Sequence, residues 1–371
     1  MTENEKFFFS LLRSGLWDVP VDYVPEEPVD WKEIYWISVR QTVVPLVADG
    51  IGHYYGSKPE GAVQQAFVSQ VIRTELRNLK MDECVSELFG LFAGNGIKAW
   101  LVKGQGVART YLDPQHRQPG DIDLLFEVDD YRRARELLEP SCYDIQPEGK
   151  ENLHLAMKKG GFEIELHGTI KTVTDKTLDK RVTIWYETVK SLPSPEWECG
   201  DTHIVLPPYN FDALFIFLHF FHHYLSGGLG LRQICDWVRY LHRFNGNIDK
   251  ARLESDVEAL HVKEGWQGFA ALAVKHLGCD RSIIPFYSDS CSTKAEKIIS
   301  HVMAGGNFGK YGDSRYRNEP YFVRKAHSLM IRIRAFHAQF LIFPKDASIN
   351  FLGFLRVGFG TFVKNLFQRR K

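Results

Sequence analysis

A chain of 371 residues, 44% hydrophobic and 25% charged, is globular rather than disordered, and long enough for two or three domains or for one domain with large helical additions. Lysine plus arginine and aspartate plus glutamate both number 46, so no overall charge draws the protein to nucleic acid or an anionic surface. Six scattered cysteines without a Cys-x-x-Cys pair argue against a zinc site or a disulfide framework; with no signal-like N-terminus and no long apolar run, they set the expectation of a cytoplasmic, reduced protein.

From Glu5 to Leu16, Phe8, Leu11 and Leu12 recur at helical spacing until Pro20 breaks the pattern. Trp17 to Pro28 reads as an acidic, proline-rich loop, Trp31 to Ala48 as one helix, and Gly50 to Gly61 as a second loop. A long amphipathic pattern over Val63 to Phe92 follows, and Gly94-Asn95-Gly96 ends it as a C-cap would. Residues 1–95 are therefore expected to form an N-terminal helical region.

Residues 96–208 read as a small mixed β-sheet with helices on one side, an α/β arrangement of the α+β kind. Ile97 to Val102 is a predicted strand ending at Lys103-Gly104, Gly106 to Tyr111 a short helix, Asp121 to Glu127 a strand, and Asp129 to Leu138 a helix with Asp129 as N-cap. Tyr143 to Ile145, Leu153 to Met157 and Phe162 to His167 supply further strands, the last two joined by the turn Lys158-Lys159-Gly160-Gly161. Thr172 to Pro208, with mixed signals and several prolines, reads as an irregular crossover.

Beyond Pro208 the pattern is helical: Asn210 to Leu225, Leu231 to Phe244, Asp249 to Leu260, Glu264 to His276 and Ala295 to Met303 make a C-terminal helical domain, residues 209–371. Gly305 to Pro320 reads as a loop. From Arg324 onward there are ten Lys/Arg, a single acid, Asp346, and an interleaved set of phenylalanines. This is the pattern of a solvated helix pair with a buried aromatic stripe, the alternative being contact with an anionic membrane or nucleic acid.

Chemistry concentrates in two stretches. Side chains at i and i+2 of a strand share a face, so Asp121 and Asp123 point together while Ile122 turns inward. In Phe162 to His167 the same period places Glu163, Glu165 and His167 opposite Phe162, Ile164 and Leu166. If the two strands are neighbours, Glu165 faces the aspartates, and three acids that close repel unless a cation sits between them. An all-oxygen cluster suits Mg²⁺ or Mn²⁺. On a later helix, His219, His222 and His223 are spaced as metal ligands could be, but with no Cys or further acid nearby they fit packing against the site or the core; Arg232 and Asp236, one turn apart, are spaced for an intrahelical ion pair, with nucleotide contact as the other role.

Lys103-Gly104, Tyr111, Arg117 shortly before Asp121-Ile122-Asp123-Leu124-Leu125, and Glu165-Leu166-His167 resemble the polymerase-β-like nucleotidyltransferases. Within them they resemble a largely uncharacterised bacterial branch whose signature is KG, then R…DID, then ELH. His219 to Arg239, histidines followed by an Arg and an Asp, is also similar to that branch, so the resemblance covers residues 95 to 240. It implies transfer of NMP from a nucleoside triphosphate such as ATP to a hydroxyl-bearing acceptor, a small molecule, peptide or protein, with release of pyrophosphate. Asp121 and Asp123 would bridge two ions, and Glu165 would ligate the ion beside the acceptor and help deprotonate it. Lys103 and Arg117 would neutralise the β- and γ-phosphates, Gly104 would allow close backbone approach, and His167 and Arg232 would complete the nucleotide contacts. Where the superfamily has Gly-Ser, this chain has Gly104-Gln105, so Lys103, the Gly104 amide and Arg117 must replace a hydroxyl in the phosphate cradle.

Two other functions use similar residues. A sugar-nucleotide glycosyltransferase also holds Mn²⁺ with Asp-x-Asp, but expects a Rossmann-like half ahead of the motif, where this chain is mainly helical. A nucleotide-binding module without turnover would fit the missing serine but not the retention of all three acids.

Overall fold

The computed structural model describes every residue except 27, 150, 173, 227, 307–320 and 369–371. Glu3–Trp17 (α1) starts on a capping box in which Thr2 and Glu5 each accept the other's backbone N–H. Trp31–Gln41 (α2) and Val44–His53 (α3) divide the single helix expected over Trp31 to Ala48. Thr42 turns left-handed at φ 55°, and Pro45, at the second position of α3, has no N–H to give the Gln41 carbonyl of a continuous helix. Gly61–Gly94 (α4) is the predicted long helix.

The sheet is assembled from Trp100–Val102 (β1), Ile122–Leu125 (β2), His154–Lys159 (β3) and Phe162–His167 (β4), in the order β1-β2-β4-β3. β2 and β4 run parallel, and β1 and β3 are antiparallel to their neighbours. Gly104–Ala108 (α5) follows β1, and Val128–Leu138 (α6) makes the crossover after β2. Glu127, not Asp129, occupies the N-cap of α6 and caps nothing with its side chain; it binds Lys190 and Tyr186, and Asp129 pairs with Arg132. Tyr143 to Ile145 forms a single bridge, Tyr143 to Lys158, because Asp144 at φ 51° leaves the extended conformation.

The expected irregular crossover over Thr172 to Pro208 is instead ordered. Lys176–Val189 (α7) is capped by Asp175, which accepts from the Thr177 and Leu178 amides. Glu196–Cys199 (β5) and Thr202–Val205 (β6) then pair as a hairpin whose Trp197 and Ile204 turn into the sheet's core. Tyr209–Ser226 (α8), Leu231–Arg243 (α9), Lys250–Ala259 (α10), Lys263–Leu277 (α11), Ser292–Gly305 (α12), Tyr321–Phe340 (α13) and Pro344–Gln368 (α14) complete the chain. Most of the loop expected over Gly305 to Pro320, and the basic residues 369–371, lie outside the described residues. α13 and α14 stack Phe336 on Phe351 and dock through Gln339, which donates to the Tyr224 carbonyl. Among the described residues no helix is long and apolar enough to cross a membrane.

Two apolar cores result. One lies between the sheet and the C-terminal half of α4, with Ile122, Leu124, Ile164 and Leu166 facing Val85, Leu88 and Phe92. The larger joins α1–α3 to α8–α12 around Phe217, Trp237, Trp266 and Phe269; burying each such ring contributes roughly 1.5–3 kcal/mol. The opposite face of the sheet meets α8, and polar groups gather there.

Candidate functional site

Register places the acids. Asp123 of β2 pairs directly with Glu165 of β4, and Leu125 with His167, so the period of two that buries Ile122, Leu124, Ile164 and Leu166 presents Asp123, Glu165 and His167 on the other face. Asp121, just ahead of β2, joins them: one oxygen from each of Asp121, Asp123 and Glu165 lies within 4.8 Å of the other two. Beside them Lys103 (φ 58°, ψ −142°) and Gly104 (φ 41°) turn the chain sharply out of β1; for a lysine that is a strained backbone. The turn aims the Lys103 amine at Asp123 Oδ1, 2.8 Å away.

Burial works against the Lys103 ammonium, but the charges of Asp123, Asp121 and Glu165 outweigh it and hold its pKa above the ordinary lysine value. Asp121 is pushed up to about 6, first by the neighbouring Asp123 charge and then by burial, with Lys103 opposing. Burial would raise Asp123 and Glu165 too, yet both end below the ordinary carboxylate values. Lys103 and His167 hold Asp123 down, and the imidazoles of His154 and His167 hold Glu165 down. His167 Nε2 lies 3.0 Å from Asp123 Oδ1 and 3.4 Å from Glu165 Oε2. Lys103 also donates to His219 Nδ1 at 3.2 Å, and a neutral His219 then donates from Nε2 to His223 Nε2 at 3.0 Å. Burial, followed by the Lys103 charge, keeps His219 well below the usual histidine range. The all-carboxylate donor set fits a hard divalent cation, and the repulsion that raises Asp121 is what such an ion relieves.

Two cavities meet at Lys103 and Glu165. The first, about 350 Å³, is lined by Lys103, Gly104, Arg117, Asp121, Asp123, Glu165 and Arg232 among others. The second, about 290 Å³, adds His154, His167, Lys171 and an apolar wall that includes Leu178, Val182 and Phe215; Lys103, Glu165, His219 and His223 border both. The intrahelical pair expected between Arg232 and Asp236 does not form. Asp236 is instead claimed by Arg117, whose Nε and Nη2 donate to it at 2.8 and 2.9 Å, and by the Tyr111 hydroxyl at 2.7 Å. A planar guanidinium satisfies both carboxylate oxygens at once, which an Arg on the same helix cannot match here. Arg232 donates to the Gln118 carbonyl at 2.7 Å and, among the described residues, makes no ion pair. Its buried guanidinium lines the first cavity, where the Asp236 and Asp121 charges act on it but, among the described residues, neither is in ion-pair contact.

Gln105, standing where a serine was expected, is buried and donates to Asp82 at 2.6 Å, so its side chain turns to α4 and away from the cavity. The sequence reading passed over His154, whose Nε2 is 3.2 Å from Glu165 Oε2. The available signal was its alternation with Ala156 on a strand adjoining Glu165.

A family described as uncharacterised nucleotidyltransferase matches residues 27–278, more than half of the chain, a span that contains every residue named in this site. No curated protein and no solved structure matches.

Proposed function

The chain belongs to this uncharacterised nucleotidyltransferase family, and from that premise we propose that it moves the nucleoside monophosphate of a triphosphate onto a hydroxyl-bearing acceptor, releasing pyrophosphate. The observation that carries the reading is the convergence of Asp121, Asp123 and Glu165 beside Lys103, in the lining of a cavity that also holds the buried Arg232. Asp121, Asp123 and Glu165 would hold Mg²⁺ or Mn²⁺, and two such ions supply Lewis-acid neutralisation of the attacking and leaving oxygens. Arg232 supplies a buried positive charge for the triphosphate, and Arg117 an Nη1 that is buried without a hydrogen-bond partner among the described residues, its other nitrogens being committed to Asp236. Lys103 moves between Asp123 and a phosphate oxygen, and Gly104 keeps the backbone low enough for that approach.

Glu165 serves as a ligand rather than as the base, because His154 and His167 stabilise its carboxylate and so weaken its hold on a proton. The first cavity, which carries the arginines, takes the triphosphate; the second, with its apolar wall, takes the acceptor. The glycosyltransferase alternative finds no Rossmann-like half, since before Asp121 the described residues give helices and the single strand β1.

The test is thermal stabilisation and pyrophosphate release with Mg²⁺ or Mn²⁺ and each nucleoside triphosphate, with sugar nucleotides as a separate arm. Metal-dependent stabilisation by a triphosphate, lost in Asp121→Ala, is the expected result. Equal stabilisation of wild type and variant would remove the site from the reading, and a response to sugar nucleotides alone would favour the glycosyltransferase.

A further inference from the structure

His154 lies directly opposite His167 across the β3–β4 pair, their ring centroids 4.8 Å apart, and both present Nε2 to the same oxygen of Glu165. Those distances, 3.2 Å from His154 and 3.4 Å from His167, are in ion-pair range and also match the spacing of two ligands on one ion. Two donors each about 2.1 Å from a common ion lie about 3.0 Å apart at a right angle and about 3.4 Å apart at a tetrahedral one. The three atoms all lie within 4.8 Å of one another. A second observation concerns access: all three side chains are part-exposed and line the 290 Å³ cavity, which leaves room for an ion to enter and for further ligands to complete its shell.

We infer that His154, Glu165 and His167 form a second metal site, distinct in donor chemistry from the oxygen-only trio, that takes a borderline divalent ion such as Co²⁺ or Zn²⁺ in preference to Mg²⁺. Two imidazoles and one carboxylate favour the later first-row ions over Mg²⁺, which prefers oxygen and keeps its waters. The inference rests on the proposed reading only where the two groups share Glu165 and where His167 touches Asp123; His154 is not among the carboxylate trio.

Co²⁺ titration of the metal-free full-length protein tests this through visible absorption, which reports the coordination geometry and ligand field of the bound ion without reference to turnover. Wild type and Asp121→Asn should both develop the bands, and His154→Ala should weaken Co²⁺ binding by more than about tenfold. In zinc titrations the ring resonances of His154 and His167 should shift, and Mg²⁺ at the same concentration should leave them in place. Unchanged bands in His154→Ala, or ring resonances that ignore zinc, would overturn the inference. If Asp121→Asn keeps the cobalt bands while no triphosphate ever stabilises the protein, the transfer reading fails and this site stands. A melt followed by circular dichroism confirms that each variant is folded.

Discussion

Asp121 and Asp123 sit two residues apart in the same acidic cluster, yet their surroundings assign them opposite costs. Buried Asp123 accepts from Lys103 and His167, both only part-exposed, so removing it leaves two cations without their shared carboxylate. Among the described residues Asp121 has no such partner at hydrogen-bond distance, and it is raised by Asp123 and by burial. Asp121→Asn should therefore raise the Tm of the metal-free protein by a degree or two while abolishing stabilisation by metal and triphosphate, whereas Asp123→Ala should cost about 3 kcal/mol, the usual scale for breaking a buried ion pair. Melts of both variants with and without Mg²⁺ and a triphosphate decide it, and a less stable Asp121→Asn would show that repulsion is not what the site relieves on binding. These acids were legible in the sequence because a strand's period of two fixes which side chains share a face. The bond from Arg117 to Asp236 was not: its partners are 119 residues apart, and nearest-turn spacing on α9 offered Arg232 as the simpler candidate.

Elements were legible where a local rule set them and illegible where packing did. α4, α8, α9, α10 and α11 follow their apolar spacing to within a residue or two of each predicted end. The stretch from Thr172 to Pro208 hides α7 and a hairpin because its prolines imitate a loop, and the hairpin owes its order to Trp197 and Ile204 packing against the sheet's core. The approach of α1 to α3 shows the same dependence on packing. A Cβ on Gly15 would fall 1.8 Å from the Leu46 carbonyl oxygen, and one on Gly50 would fall 2.0 Å from that of Leu11, so the two backbones touch through their glycines. Replacing either one forces the helices apart in the middle of the larger core. Gly50→Ala should lose about 1–3 kcal/mol of stability in urea unfolding, the scale of overpacking, although alanine is the better helix former. A neutral or stabilised variant would mean that the two helices separate freely and that their contact does not organise the N-terminal region.

At the scale of the whole molecule, the segment leading to Asp121 is fastened to the N-terminal helices by one imidazole. His116 Nδ1 lies 2.9 Å from Asp49 of α3 and Nε2 lies 3.0 Å from Glu75 of α4, so a protonated ring ties together three parts of the chain that are remote in sequence. The hydrogen bond to Asp49 is the largest cause of its raised pKa; burial opposes it, the Asp49 charge and Glu75 add to it, and the result is about 9. Because the folded value exceeds the ordinary one of about 6.5, the folded state binds more protons between the two. The stabilisation is therefore complete below about pH 6.5 and is lost as the pH rises through 9. Allowing for the part-exposed carboxylates, the contribution is about 1–2 kcal/mol. Urea unfolding at intervals from pH 6 to pH 10 should show wild type losing that much more stability than His116→Gln, with the two curves converging at the alkaline end. Parallel curves would mean that the ring is neutral in the folded protein, and that the approach to Asp121 is held by the remaining contacts, among them the Asn78 amide donating to the carbonyls of Gln115 and Arg117.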